Sequence, residues 1–340
     1  MGQSCRSGAR HCSFRRQSAG RVSGGAGAQT TLSVAAAKQP WSFSFANAAR
    51  ESFDNFHYQL GGDHALYYNQ NLSEMLPTAY SSPNPKYMPL EVAIDDSIGG
   101  AVKFTTKEGE LSLDEYVVHP NHRVQGVLMV HRGRIVYQAY PGMNPMDRHV
   151  WMSPGKATVG LILGMLEAEG KIDLSKPVVE YVPELAGTNW DDVPLLAAAN
   201  MSTGLALEET LESIIDPSSI IVRFFSAEFG SPNPMTGEME NWLDILKEAE
   251  KLEGEEPGEV FRYFSAVTQV SVLMAEKIDD KTWADLFQER VWGKIGQGIY
   301  IDPARDFVGV YYSTNGYIPP YGEDKMPGFL RRAAKYLAAE

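Results

Sequence analysis

Two β-hairpin signatures, far apart in the chain and separated by a long helical stretch, constrain this fold more than any other feature. The first pairs Val124-Gln-Gly-Val-Leu-Met-Val-His131 with Ile135-Val-Tyr-Gln-Ala-Tyr140 across Arg132-Gly133-Arg134. Runs of β-branched and aromatic residues on either side of a Gly-containing turn favour an antiparallel pair. The second pairs Gly298-Ile-Tyr-Ile301 with Phe307-Val-Gly-Val-Tyr-Tyr312 across a turn at 302–306. Hairpins at both ends with helices between them predict an α+β fold, in which an antiparallel sheet is flanked by helices and carries a helical insert.

The helices have readable ends. Ser153 suits an N-cap, Pro154 the first helical position and Gly170 the stop, which predicts a helix over 154–169. Its body, Val159-Gly-Leu-Ile-Leu-Gly-Met-Leu166, is apolar on nearly every face. That predicts a buried helix, with Gly160 and Gly164 admitting a closely packed neighbour. Ser265 and Thr282 are read as caps of two further helices, and residues 327–339 form an amphipathic one. Residues 171–260 read as mostly helical, including an amphipathic run from Asn241 to Glu250.

The chemistry is narrowed by histidine order. All seven histidines lie at or before His149. An α/β-hydrolase carries its histidine after the nucleophile, so no serine from Ser153 onward fits that plan. The Gly-x-Ser-x-Gly elbow is also absent, the nearest strings being Trp151-Met-Ser-Pro-Gly155 and Asn200-Met-Ser-Thr-Gly204. A phosphate loop fails because Ala157 stands where Ser or Thr is required.

Ser153-Pro-Gly-Lys156 supplies a histidine-free alternative. Residues i and i+3 share a helix face, so an amine can sit beside a hydroxyl. The positive potential of a helix N-terminus favours the alkoxide and the neutral amine. A neutral lysine can then take the serine proton. Gly155 loosens the first turn. Without further context, Ser153 reads equally well as a plain helix cap.

The order hairpin, Ser-x-x-Lys, apolar helix, then Gly170-Lys-Ile-Asp-Leu-Ser-Lys-Pro-Val-Val-Glu-Tyr-Val-Pro-Glu-Leu185 resembles the class C β-lactamase-related serine hydrolases. That group includes penicillin-binding carboxypeptidases, family VIII esterases and 6-aminohexanoate-oligomer hydrolases. Asn200-Met-Ser-Thr-Gly-Leu205 is similar to the group's Met-Thr-Ser-Gly region, and Phe261-Arg-Tyr-Phe-Ser265 to its second motif, Tyr-x-Asn or Tyr-x-Ser. The resemblance implies a β-lactamase/transpeptidase-like fold and an acyl-enzyme on Ser153. It implies proton transfer by Lys156 and Tyr263, and a Ser265 that holds the substrate carbonyl or Lys156. It implies an esterase or amidase acting on a small molecule, with no metal and no organic cofactor.

The sequence departs from the group at the third motif, Lys-Thr-Gly or His-x-Gly. Relatives carry that motif on a strand within a long insert. Here Trp292-Gly-Lys-Ile-Gly296 runs almost directly into the second hairpin. Lys294-Ile-Gly296 is therefore read as the end of a helix, and the hydrolase domain as incomplete near 293–298. The alternative function is a catalytically silent binding or scaffold protein of the same fold.

Three regions follow from composition. Residues 1–50 hold seven Lys or Arg and no Asp or Glu and so sum to +7, which leaves −20 on the rest of the chain for a net charge of −13. Residues 1–40 are rich in Gly, Ser, Ala and Arg and read as a disordered leader, with residues 1–38 dispensable for folding. Residues 41–120 read as an irregular wrapping segment, with four prolines between Leu76 and Leu90. Residues 121–340 form the hydrolase domain. Both cysteines, Cys5 and Cys12, precede it, so it has neither a disulfide nor a thiolate nucleophile. His119 and His122 flank a Pro-Asn turn and show no helical metal-ligand spacing. The acidic balance excludes nucleic acid as main partner, and no apolar run is long enough for a membrane span. A cytoplasmic location is favoured over a secreted or periplasmic one.

Overall fold

The computed structural model describes residues 31–79, 81, 90–293, 301–302, 307–313 and 325–338. In chain order the elements are α1 (Phe43–Ser52), α2 (Asn55–Leu60), α3 (Gly62–Asn71), β1 (Glu91–Val92), α4 (Ser97–Ala101), β2 (Lys103–Thr106), β3 (Gly109–Ser112) and α5 (Leu113–Val118). The central hairpin β4 (Val124–His131) and β5 (Arg134–Ala139) follows, then α6 (Ala157–Ala168), α7 (Leu195–Ala199), α8 (Ile220–Glu228), α9 (Trp242–Leu246), α10 (Ser265–Asp279) and α11 (Trp283–Phe287). The chain closes with β6 (Ile301–Asp302), β7 (Phe307–Ser313) and α12 (Met326–Ala338).

The expected hairpins meet in one sheet of order β1-β5-β4-β7-β6. Arg132 (φ 49°) and Gly133 (φ 73°) both adopt positive φ at the β4–β5 turn. That geometry matches the right-handed twist of the flanking strands. β7 pairs antiparallel with β4, placing Leu128 opposite Val310 and His131 opposite Phe307. The sheet is mixed rather than purely antiparallel, because β1 runs parallel to β5. β1 has two exposed residues and no period to betray it.

The sheet buries Val127 and Met129 against Phe307, Phe329 and Leu330. α12 supplies the last two on a stripe of Met326, Phe329, Leu330, Ala333, Ala334 and Leu337. Each large apolar side chain so buried contributes about 1.5–3 kcal/mol. Gly309 on β7 has a packing reason: a Cβ there would stand 2.7 Å from Leu330 Cδ2. A second core lies among the helices, with Ile162, Leu166, Trp190, Val267, Val270 and Leu286 at its centre.

Three expectations differ in detail. The helix beginning at Ser153 opens as a 3-10 turn over Ser153–Lys156 before becoming α6, as Pro154 and Gly155 make for a loose start. α6 buries one face, not all: Val159, Ile162, Leu163 and Leu166 are covered, while Leu161 is 45% exposed. Among the described residues, nothing lies within 4 Å of a Cβ built on Gly160 or Gly164. The stretch between α6 and α10 holds only short helices joined by turns, since Gly187, Gly204, Gly230, Gly237 and Gly254 interrupt it at positive φ.

The N-terminal region is more ordered than its composition suggests. Residues 41–75 are largely helical and build a third cluster, in which Tyr58, Tyr67 and Tyr68 pack with Phe45, Phe53 and Phe229. Thr31 and Leu32, assigned above to the leader, are docked. Their backbone N–H groups donate to the Asp63 carboxylate at 2.8 and 3.0 Å. Arg123, 3% exposed, donates to Leu32 O and Gly62 O at 3.1 and 3.2 Å. The expected leader over residues 1–30 lies outside the described residues.

Candidate active site

The segment leading to Ser153 is gripped from several sides. Val150 N–H donates to Asn69 O of α3 at 2.8 Å. His149 Nε2 lies 2.9 Å from Gln125 Oε1 of β4. The Trp151 ring meets Trp292 at 5.5 Å and Phe287 at 6.4 Å, both edge-on. Met152 Sδ accepts from Tyr58 OH at 3.0 Å. Met152 itself has φ 54° and ψ −144°, a conformation that only glycine adopts readily. Such strain costs about 1–3 kcal/mol and persists only where surroundings over-determine it. Its effect is to turn the chain sharply, leaving Ser153 exposed at the head of the helix.

Tyr263 is brought to the same place by its backbone. Arg262 N–H donates to Met201 O at 2.7 Å, and Gly258 N–H to Ser202 O at 2.7 Å. Met201 (φ 52°) and Gly204 (φ 70°) shape this receiving loop, which accounts for the Asn200–Leu205 string. On the other side, Glu209 N–H donates to Tyr263 O at 2.8 Å. The Glu209 carboxylate also accepts from Ser265 N–H at 2.6 Å. Phe264, fully buried against Phe224 at 5.8 Å, anchors the residue between them. Glu209 was not marked by the sequence: a lone acid in a loop has no spacing to flag it.

Ser153, Lys156 and Tyr263 converge in a closed triangle. Lys156 Nζ donates to Ser153 Oγ at 3.1 Å and to Tyr263 OH at 2.7 Å. Tyr263 OH donates to Ser153 Oγ at 2.5 Å. The ammonium group also lies 5.1 Å from the Tyr263 ring centroid. Two donors aimed at one hydroxyl oxygen favour negative charge on it, and the helix N-terminus adds to that bias. The arrangement can therefore hold a nucleophilic oxygen and shuttle its proton.

Ser265 does not join the triangle. It is the first residue of α10, and its backbone N–H is capped by Glu209; the N-cap position is Phe264, so Ser265 is not the cap. Among the described residues, Ser265 Oγ makes no hydrogen bond, and Lys156 Nζ is shared by Ser153 and Tyr263 instead. Lys294-Ile-Gly296 lies outside the described residues.

A crevice of about 50 Å³ adjoins Lys156, lined by Val159, Leu163, Ala198, Met201 and Thr268. It is large enough for water and too small for an acyl chain. A larger cavity of about 240 Å³ touches Arg262, Glu208 and Ile221 and includes no member of the triangle. The chemistry points to the open face around exposed Ser153 rather than to either cavity.

Comparison with known proteins gives a concordant result. A family model described as Beta-lactamase matches residues 113–305. The 6-aminohexanoate-dimer hydrolase of Paenarthrobacter ureafaciens is 29% identical over 228 residues, covering 66% of this chain and 53% of that protein. The chain thus spans about half the length of that curated relative. A solved structure from Bacillus anthracis, provisionally described as a 6-aminohexanoate-dimer hydrolase, matches with a TM-score of 0.58 at 20% identity, over 77% of this chain and 71% of that one.

Proposed function

We propose, from the premise that this chain belongs to the β-lactamase family and has the β-lactamase/transpeptidase-like fold, that it is a serine hydrolase whose nucleophile is Ser153. The observation that carries the reading is the triangle of Ser153, Lys156 and Tyr263. The reaction requires that Lys156 and Tyr263 between them accept one proton. That pair takes the Ser153 proton as Oγ bonds to the substrate carbonyl carbon. The same proton passes to the leaving alcohol or amine as its bond to carbon breaks. Water then repeats the sequence and releases the acid, restoring Ser153. The Ser153 backbone N–H, at a helix start, serves as an oxyanion donor.

The substrate is a small ester or amide. One relative's name makes a 6-aminohexanoate dimer its substrate, a compound of that size. The short junction between Trp292 and Ile301 leaves little chain for a third motif. Loss of one such electrostatic element costs about 10²–10³ in rate. Activated esters tolerate that loss better than amides, since their leaving groups need no full protonation. Short p-nitrophenyl esters are therefore cleaved well ahead of amides and β-lactams. Intact-mass analysis after treatment with a fluorophosphonate shows one adduct, mapped to Ser153 and absent in Ser153→Ala. An adduct on another serine of the folded protein overturns the assignment; no adduct at all favours a silent binding member of the fold.

A further inference from the structure

Glu108, His119 and His122 come together from two turns that carry none of the triangle. Glu108 sits at the tip of the β2–β3 hairpin, and His119-Pro-Asn-His122 links α5 to β4. One ligand atom from each of the three lies within 4.8 Å of the others. His122 Nε2 faces Glu108 Oε2 at 3.4 Å. Donors on a tetrahedral zinc ion, with bonds of about 2.0–2.1 Å, stand about 3.3 Å apart. The pair is therefore already at ligand separation, and wider than a usual charge-assisted hydrogen bond of about 2.7–2.9 Å.

Neighbours hold these groups in place. The His122 ring is 7% exposed and stacks on Tyr116 at 3.9 Å and 14°. Asn121 Nδ2 donates to Glu108 Oε1 at 3.1 Å, which leaves Oε2 directed at His122. The half-buried His119 ring lies 5.0 Å from that of His122. Its Nδ1 accepts a long 3.3 Å bond from Asn121 N–H, a hold weak enough for the ring to turn toward a cation.

We propose that Glu108, His119 and His122 bind one divalent first-row transition cation, with zinc the best fit, through two imidazole nitrogens and a carboxylate oxygen, water completing the shell. Two nitrogens and one oxygen suit Zn²⁺ better than Ca²⁺ or Mg²⁺, which take oxygen almost exclusively. The ion ties the β2–β3 turn to the entrance of β4, so its role is to stabilise the fold. Sequence spacing conceals the site because the carboxylate comes from a separate hairpin.

The test uses the untagged full chain, stripped with EDTA and dialysed. Zinc sulfate in excess raises the thermal midpoint of the wild type by several degrees. In Glu108→Gln and His119→Ala the rise disappears, and affinity for zinc falls more than about 10-fold. Both side chains lie near the surface, so the metal-free variants keep the wild-type midpoint. Any ligands near Cys5, His11 and Cys12 are common to all three proteins and cancel. One equivalent of cobalt chloride added to the wild type gives the visible d–d bands of four-coordinate Co²⁺ without a thiolate charge-transfer band. A zinc-induced rise of equal size in both variants, no rise in the wild type, or a six-coordinate cobalt spectrum overturns the proposal.

Discussion

Replacing Glu209 by Ala removes the carboxylate that caps Ser265 N–H at 2.6 Å, while the backbone bond to Tyr263 O remains. Glu209 touches no reacting atom and acts by fixing the turn that carries Tyr263. Loss of such a cap costs about 1 kcal/mol of stability, and displacing Tyr263 by an ångström costs up to about 10²-fold in acylation. Acylation of the folded Ala variant should fall by 10-fold or more (about 1.4 kcal/mol) with KM little changed, whereas Glu209→Gln keeps an acceptor and recovers most of the rate. Equal rates for Ala and wild type would show that Tyr263 is held without Glu209. His149 is a second residue with a measurable signature. Burial pushes its imidazole down to about 4, against the backbone bond to Val150 O that favours the charged form. The folded state thus takes up this proton later than the unfolded chain as pH falls. The stability concerned is complete above about pH 6.5, erodes below it, and is spent near pH 4. Between pH 7 and pH 5, His149→Gln should lose about 2 kcal/mol less than wild type in urea unfolding. Parallel losses in the two proteins would exclude His149 as a source of acid instability.

Elements differ in how plainly the chain announces them. The β4–β5 hairpin and α12 were legible because their patterns and turn signals agree, whereas α6 was legible as a helix but starts from caps at Met152 and Lys156 rather than Ser153 and buries one face only. β1 and the helices of residues 41–75 were not. β1 pairs parallel to a distant strand, and α1 to α3 are short helices held by aromatic contacts rather than by a long apolar stripe. The stretch Thr31–Lys38 misled most, since its composition is that of a leader while its order comes from backbone groups, which composition does not report. Thr31 and Leu32 donate to Asp63, and Leu32 O receives Arg123. A chain starting at Gln39 leaves the buried Asp63–Arg123 pair short of these partners. Hydrogen bonds to charged groups are worth about 1.5–3 kcal/mol each, so this shortened chain should melt several degrees below one starting at Gln29. Equal midpoints in calorimetry would mean that the docking adds nothing.

For the molecule as a whole, the site was legible where chemistry is local and illegible where it is assembled from afar. Ser153 and Lys156 share one turn, so their spacing and the apolar helix they open mark the pair, although Ser153 alone reads equally well as a cap. Tyr263 could be placed only through a resemblance, because the loops that deliver it rest on Met201, Ser202 and Glu209. Ser265 was assigned a role by the same resemblance; its backbone N–H is engaged by Glu209, and among the described residues its hydroxyl makes no hydrogen bond to Lys156. The Glu108–His119–His122 group left no pattern in the sequence at all, since its members meet only after the β2–β3 hairpin has folded against α5.

The grip on the segment before Ser153 has a consequence for how such proteins can exchange parts. The family match begins at residue 113, yet Asn69 O and Tyr58 OH lie ahead of it and hold Val150 and Met152, just before Ser153. The Val150–Asn69 hold is a main-chain bond, which constrains the shape of the segment that supplies it while saying little about its residues. A recombinant that crosses over where the family match begins would inherit every residue of the triangle and still lose these holds. The unit that must be exchanged intact to keep this site supported is thus longer than the stretch that the family model matches.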